Sequence, residues 1–132
     1  MLATERDTLG NEITQLAGKY HNNRSGLLPI LQAIQVKYNH ISDFAMQEIA
    51  RLLDIHPVEV YGVATFYSFL RTEATGRFVI RLCQTISCHM AGKSQVARQL
   101  ENELGVGFGE TTPDGHFTLE YANCLGLCDQ GP

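Results

Sequence analysis

The chain has 132 residues, 44% of them hydrophobic and 18% charged, with a net charge of −4 at neutral pH. That composition supports a packed core in one domain or two small halves and excludes disordered and fibrous classes. It carries no Lys- or Arg-rich run, which argues against a nucleic acid or an anionic membrane surface as partner. No apolar stretch approaches the roughly 20 residues of a membrane helix, so direct membrane insertion is not expected. Met1 to Gly10, with Glu5, Arg6 and Asp7, does not read as a secretory leader. The expected location is the cytoplasm.

In chain order, Leu9, Ile13, Leu16, Ala17 and Tyr20 recur at helical spacing and predict a first helix. His21 to Gly26 interrupts it as a loop. Leu27, Leu31, Ile34 and Tyr38 give a second apolar stripe, with Pro29 acceptable in the first turn. Ser42 or Asp43 can cap a third helix, whose stripe is Met46, Ile49, Ala50 and Leu53. Asp54-Ile55-His56-Pro57 ends it. Pro57 then suits the first position of a fourth helix, with Val60, Val63, Ala64 and Tyr67 on one side. Four short helices joined by short loops predict a compact bundle.

The pattern changes at Thr72-Glu73-Ala74-Thr75-Gly76, and the chain is divided there into a helical region, 1–75, and a second region, 76–132. Residues 77 to 82 read as a strand because Phe78, Ile80 and Leu82 alternate with Val79 and Arg81. A helix is expected from about His89 to Leu104, burying Val96, Ala97, Leu100 and Leu104 and stopping at Gly105. Pro113-Asp114-Gly115 is a turn, since proline presets φ and glycine tolerates positive φ. Phe117, Leu119 and Tyr121 then alternate as another strand. The sequence shows no internal repeat and no low-complexity segment.

The chemistry lies in the four cysteines, spaced Cys83-x4-Cys88, then 35 residues, then Cys124-x3-Cys128. Cys83 ends the first strand, Cys88 falls at or just before the helix start, and Cys124 follows the second strand. Two strand ends on one edge of a sheet can bring all four sulfurs together. In a reducing compartment such a set points to metal or redox work rather than to disulfides. A [2Fe–2S] cluster takes four thiolates, and so does structural zinc, whose usual gaps include x4 and x3. The spacing favours iron–sulfur but leaves a zinc-stabilised interaction module open, along with a scaffold that holds no metal. A thioredoxin-type dithiol needs Cys-x-x-Cys, which is absent.

A helix start beside Cys88, with the N–H groups of Thr85, Ile86 and Ser87, is expected to face sulfur. Gly126 permits a tight ligand loop, and Leu125 and Leu127 are expected to shield the site. His89 reads as a surface or supporting residue, and His21, His40, His56 and His116 are given no metal role. Ser25, Ser42 and Ser68 have no triad context. Gly105, Gly107 and Gly109 follow a helix and form no phosphate-binding loop.

Several segments together resemble a known family. They are Leu28-Pro29-Ile30-Leu31-Gln32-Ala33-Ile34-Gln35, Val60-Tyr61-Gly62-Val63-Ala64-Thr65-Phe66-Tyr67-Ser68, Cys83-Gln84-Thr85-Ile86-Ser87-Cys88-His89 and Tyr121-Ala122-Asn123-Cys124-Leu125-Gly126-Leu127-Cys128. The chain resembles the small thioredoxin-like iron–sulfur subunit of NADH dehydrogenases of the respiratory complex I type. Similar subunits occur in NAD-linked and bifurcating hydrogenases and in NAD-linked formate dehydrogenases.

The resemblance implies an α+β chain: a helical bundle that serves docking, followed by a thioredoxin-like [2Fe–2S] ferredoxin domain. It implies one [2Fe–2S] cluster on Cys83, Cys88, Cys124 and Cys128, and a flavoprotein partner that binds FMN and NAD(H). It further implies iron–sulfur and catalytic subunits alongside. On this view the chain is a subunit of an oxidoreductase and has no catalytic site of its own. The family continues past the fourth cysteine with another strand and helix. This sequence stops at Asp129-Gln130-Gly131-Pro132, so a truncated domain with an open sheet edge is expected.

Overall fold

A computed structural model describes residues 3–132. Its contacts divide the chain into two compact units, one ending at Ala74 and the other spanning Thr75–Pro132.

Among the described residues, the first unit holds α1 (Ala3–Lys19), a 3-10 turn (Arg24–Gly26), α2 (Leu27–Tyr38), α3 (Asp43–Leu53) and α4 (Pro57–Phe66). The helix ends follow local chemistry. The Ser42 hydroxyl accepts the Ala45 N–H at 3.3 Å and starts α3, while Pro57 opens α4 behind a His56 ring nitrogen that accepts the Val58 N–H. Asn39 and Asp54 stop α2 and α3 in the left-handed region, at φ 61° and 51°, which short polar side chains tolerate best. Ile13, Ile30, Leu31, Ile34, Ile41, Ile49 and Val60 are fully buried in one cluster. At its edge the Tyr38 hydroxyl donates to Glu12 at 2.7 Å, and Lys37 pairs with the same carboxylate. Those two partners, Lys37 first, hold the Glu12 carboxyl below its usual range.

Two expectations shift here. Tyr20 lies past the end of α1 and is partly exposed, because the N–H groups of Tyr20 and Asn22 close back on the Ala17 carbonyl. The loop from His21 to Gly26 contains a 3-10 turn, whose start is capped by the Asn23 side chain at 3.2 Å from the Ser25 N–H.

The second unit is built on β1 (Phe78–Cys83) and β2 (Phe117–Ala122), which pair in parallel from Phe78↔Phe117 to Cys83↔Ala122. Parallel strands need a long crossover. Here it runs through α5 (Ile86–Met90) and α6 (Lys93–Leu104). Residues 109–112 then fold back along β2, with Leu119 donating to the Glu110 carbonyl and Gly109 to the Leu119 carbonyl. Gly115, at φ 70°, supports the turn into β2. Gly76 sits so close to the backbone of His116 and Phe117 that an added Cβ would lie 2.9 Å from it. A glycine is therefore required where the chain enters β1.

The expected helix from His89 to Leu104 is in fact two helices. Gly92 adopts φ 103°, a conformation that breaks α5 from α6. Of its four expected core residues only Ala97 is buried; Leu100 and Leu104 are half-buried and Val96 is exposed. The reason is geometric. Two strands span about 5 Å, and a helix with its side chains is about 10 Å wide, so the sheet cannot cover a broad helical face. No helix among the described residues is long and apolar enough to cross a membrane.

Candidate metal centre

Because β1 and β2 are parallel and in register, they end on the same side. Cys83 is the last residue of β1, opposite Ala122, and Cys124 comes two residues after β2 ends. The Gln84 N–H donates to the Ala122 carbonyl at 2.9 Å, which extends the pairing to the cysteine loop. Cys88 returns on α5 and is buried, as is Cys83, while Cys124 and Cys128 are exposed. Gly126, at φ 79°, makes the tight bend that brings Cys128 to Cys124, with the two sulfurs 3.3 Å apart. Its N–H points at the Cys124 sulfur from 3.4 Å. All four thiols are free.

A pocket of about 210 Å³ opens among Cys83, Cys88, Cys128, Leu125, Leu127 and Gly131. A Cβ at Gly131 would come 3.0 Å from the Cys88 sulfur, so a side chain there would crowd this thiol.

The thiols are electrostatically crowded. The Thr85 hydroxyl, 3.0 Å from the Cys83 sulfur, is the main cause that pulls this thiol down from 9.0 to about 7, helped by the N–H groups of Thr85 and Leu125. Cys83 in turn pushes the Cys88 thiol up, and Cys124 does the same to Cys128. A negative charge on one sulfur thus disfavours ionisation of its neighbour.

Among the described residues, no three His, Cys, Asp or Glu side chains converge closely enough to hold a single ion. The sulfurs come as two pairs, Cys83 with Cys88 and Cys124 with Cys128. A two-iron centre with two thiolates per iron suits pairs.

The structure amends the expected surroundings. Cys88 lies inside α5 rather than ahead of it, and a five-residue helix offers little dipole. Thr85 supplies an N–H as expected, and Leu125 supplies one that the sequence pattern did not suggest. Leu125 and Leu127 line the pocket but stay 56% and 61% exposed, so their shielding is partial. His89 is on the surface. The Thr85 hydroxyl was missed, although a threonine two residues after Cys83 is the signal that could have found it.

The model of the thioredoxin-like [2Fe–2S] ferredoxins matches residues 13–132. The chain belongs to that family. The α+β, thioredoxin-like class expected from the sequence is what the match and the structure show. This ferredoxin-family chain is 40% identical over 125 residues to one of the NADH-quinone oxidoreductase subunits of Rhizobium meliloti, covering 95% of this chain and 74% of that one. It is 38% identical over 130 residues to one of the NADH-quinone oxidoreductase subunits of Escherichia coli K12, covering 98% and 76%. Among solved structures it is similar to an NAD+-reducing [NiFe]-hydrogenase in the H2-reduced state, with TM-score 0.66 and 25% identity. That similarity covers 77% of this chain and 17% of the hydrogenase chain. These relatives are parts of oxidoreductase complexes. The donor set fits the group that names the family: four unoxidised thiols in two pairs, three of them lining one pocket.

Proposed function

We propose that this chain is an electron-transfer subunit of a multisubunit, NAD(H)-linked oxidoreductase, with one [2Fe–2S] cluster held by Cys83, Cys88, Cys124 and Cys128. The observation that carries the reading is the gathering of four free thiols, as two pairs, at one end of a parallel strand pair. When bound, the cluster supplies reversible one-electron exchange.

The chain's own residues supply the rest. β1 and β2 fix two of the ligand positions, Gly126 bends the last loop, and Thr85, Leu125 and Gly126 direct donors at sulfur. Leu125 and Leu127 keep part of the pocket apolar while Cys124 and Cys128 face outward, which suits exchange with a redox group on a neighbouring protein. The partner is a flavoprotein subunit carrying FMN and NAD(H), within a larger assembly that includes further iron–sulfur and catalytic subunits on the cytoplasmic side. Residues 1–75 act as the docking region. Exposed Val58, Tyr61 and Phe66 on α4 support that role, since large apolar side chains left in water are available to a partner.

Iron, sulfide and zinc analysis of the purified chain, with visible spectra before and after dithionite, tests the reading. About two irons and two sulfides per chain, with colour that bleaches on reduction, are expected. One tightly held zinc and no colour would replace the electron carrier with a structural zinc module.

A further inference from the structure

Thr85 opens α5 with extended backbone, φ −72° and ψ 162°, the geometry of a helix cap. A threonine there ordinarily accepts an N–H from the first helical turn. The Thr85 side chain makes no such bond. Its hydroxyl lies instead 3.0 Å from the Cys83 sulfur. A ligand thiolate has no proton to give, so the hydroxyl is the donor. The side chain is half-buried, which limits competition from water. At the opposite pair, the Cys124 sulfur is met by a backbone N–H, from Gly126 at 3.4 Å.

We propose that Thr85 is a positioning residue for electron transfer, its hydroxyl raising the reduction potential of the [2Fe–2S] cluster through a hydrogen bond to the Cys83 sulfur. The inference rests on the reading that the four cysteines hold that cluster. Reduction takes one electron from a donor, either a partner's reduced flavin or dithionite. One ferric ion becomes ferrous, the formal charge of the cluster with its thiolates goes from about −2 to about −3, and no proton or ligand is exchanged. A donor on a ligand sulfur interacts more strongly with the more negative state, so it favours reduction.

The test is a redox titration of the full chain, followed by EPR and visible absorbance, for wild type, Thr85→Ser, Thr85→Val and Thr85→Ala. Thr85→Val keeps the shape and removes the donor, and is expected to weaken reduction about tenfold, about 59 mV for one electron. Thr85→Ser keeps the hydroxyl and is expected to retain the wild-type potential. Thr85→Ala is the second donor-free variant. An unchanged potential in whichever donor-free variant loads overturns the inference and leaves the cluster reading standing. Loss of the cluster in both donor-free variants also overturns it, because the hydroxyl would then serve assembly. A wild-type chain that takes up no iron and sulfide overturns the cluster reading itself.

Discussion

In the helical unit, Ile13, Ile30, Leu31, Ile34, Ile41 and Ile49 close completely against one another. In Thr75–Pro132 the buried set is Gly76, Leu82, Cys83, Cys88, Ala97, Thr112, Thr118 and Leu119. The first is an oil-drop core that apolar burial stabilises by itself. The second has few large apolar side chains, and two of its buried residues are thiols. On the proposed reading, a unit of that size and composition draws much of its stability from the cluster that joins the thiols, as small metal domains do. The two units should therefore respond to opposite insults.

Cluster removal gives the largest separation. Chelation or Cys124→Ser is expected to abolish the visible spectrum and to cut hydrogen-exchange protection in β1 and β2, while α1 to α4 keep theirs. An unchanged spectrum in Cys124→Ser would mean this residue is not a ligand. The reverse experiment is Ile34→Ala, which empties space in the helical core. It is expected to cost about 2–5 kcal/mol in denaturant unfolding of that unit and to leave the spectrum of the remaining folded protein intact. Gly76→Ala tests the second unit through its backbone. The new Cβ must displace the His116–Phe117 chain, at about 1–3 kcal/mol, with reduced cluster loading as the readout.

Much of this contrast was legible in the sequence. The apolar stripes from Leu9 to Ala64 repeat at helical spacing, and Ser42 and Pro57 mark two starts by chemistry that is local to the chain. Two of the cysteines were legible for the same reason: Cys83 ends one alternating strand pattern and Cys124 follows the other. What escaped depended on backbone dihedrals or on distant partners. Gly92 could have stayed helical, and only its φ of 103° splits α5 from α6. The return of residues 109–112 along β2 runs through the Pro113-Asp114-Gly115 turn, but its incoming side carries no alternating pattern of its own. Thr85 was expected to offer only its backbone N–H, and the use of its hydroxyl depends on where the Cys83 sulfur lies in space.

Two smaller effects sharpen the comparison further. Ser42→Ala removes the α3 cap and is expected to cost the helical unit about 1 kcal/mol, read as a lower denaturation midpoint with unchanged loading. Asp114 offers a pH-dependent counterpart in the second unit. The Thr112 hydroxyl, followed by the His116 N–H, holds its carboxyl down from 3.8 to about 2. A depressed carboxyl stabilises fully above its unfolded value and loses that contribution as pH falls through the folded one. Asp114→Asn should therefore lower the melting temperature of this unit slightly at neutral pH, and the difference should vanish at about pH 2 and below. A difference that persists there would assign the effect to shape rather than charge.

The central claim, that the paired thiols hold a two-iron electron carrier, is tested most directly by EPR of the dithionite-reduced full chain. A paramagnetic signal is predicted that integrates to about one unpaired electron per chain, is absent before reduction and is lost in Cys124→Ser. A silent spectrum from a fully metal-loaded, reduced protein would contradict it.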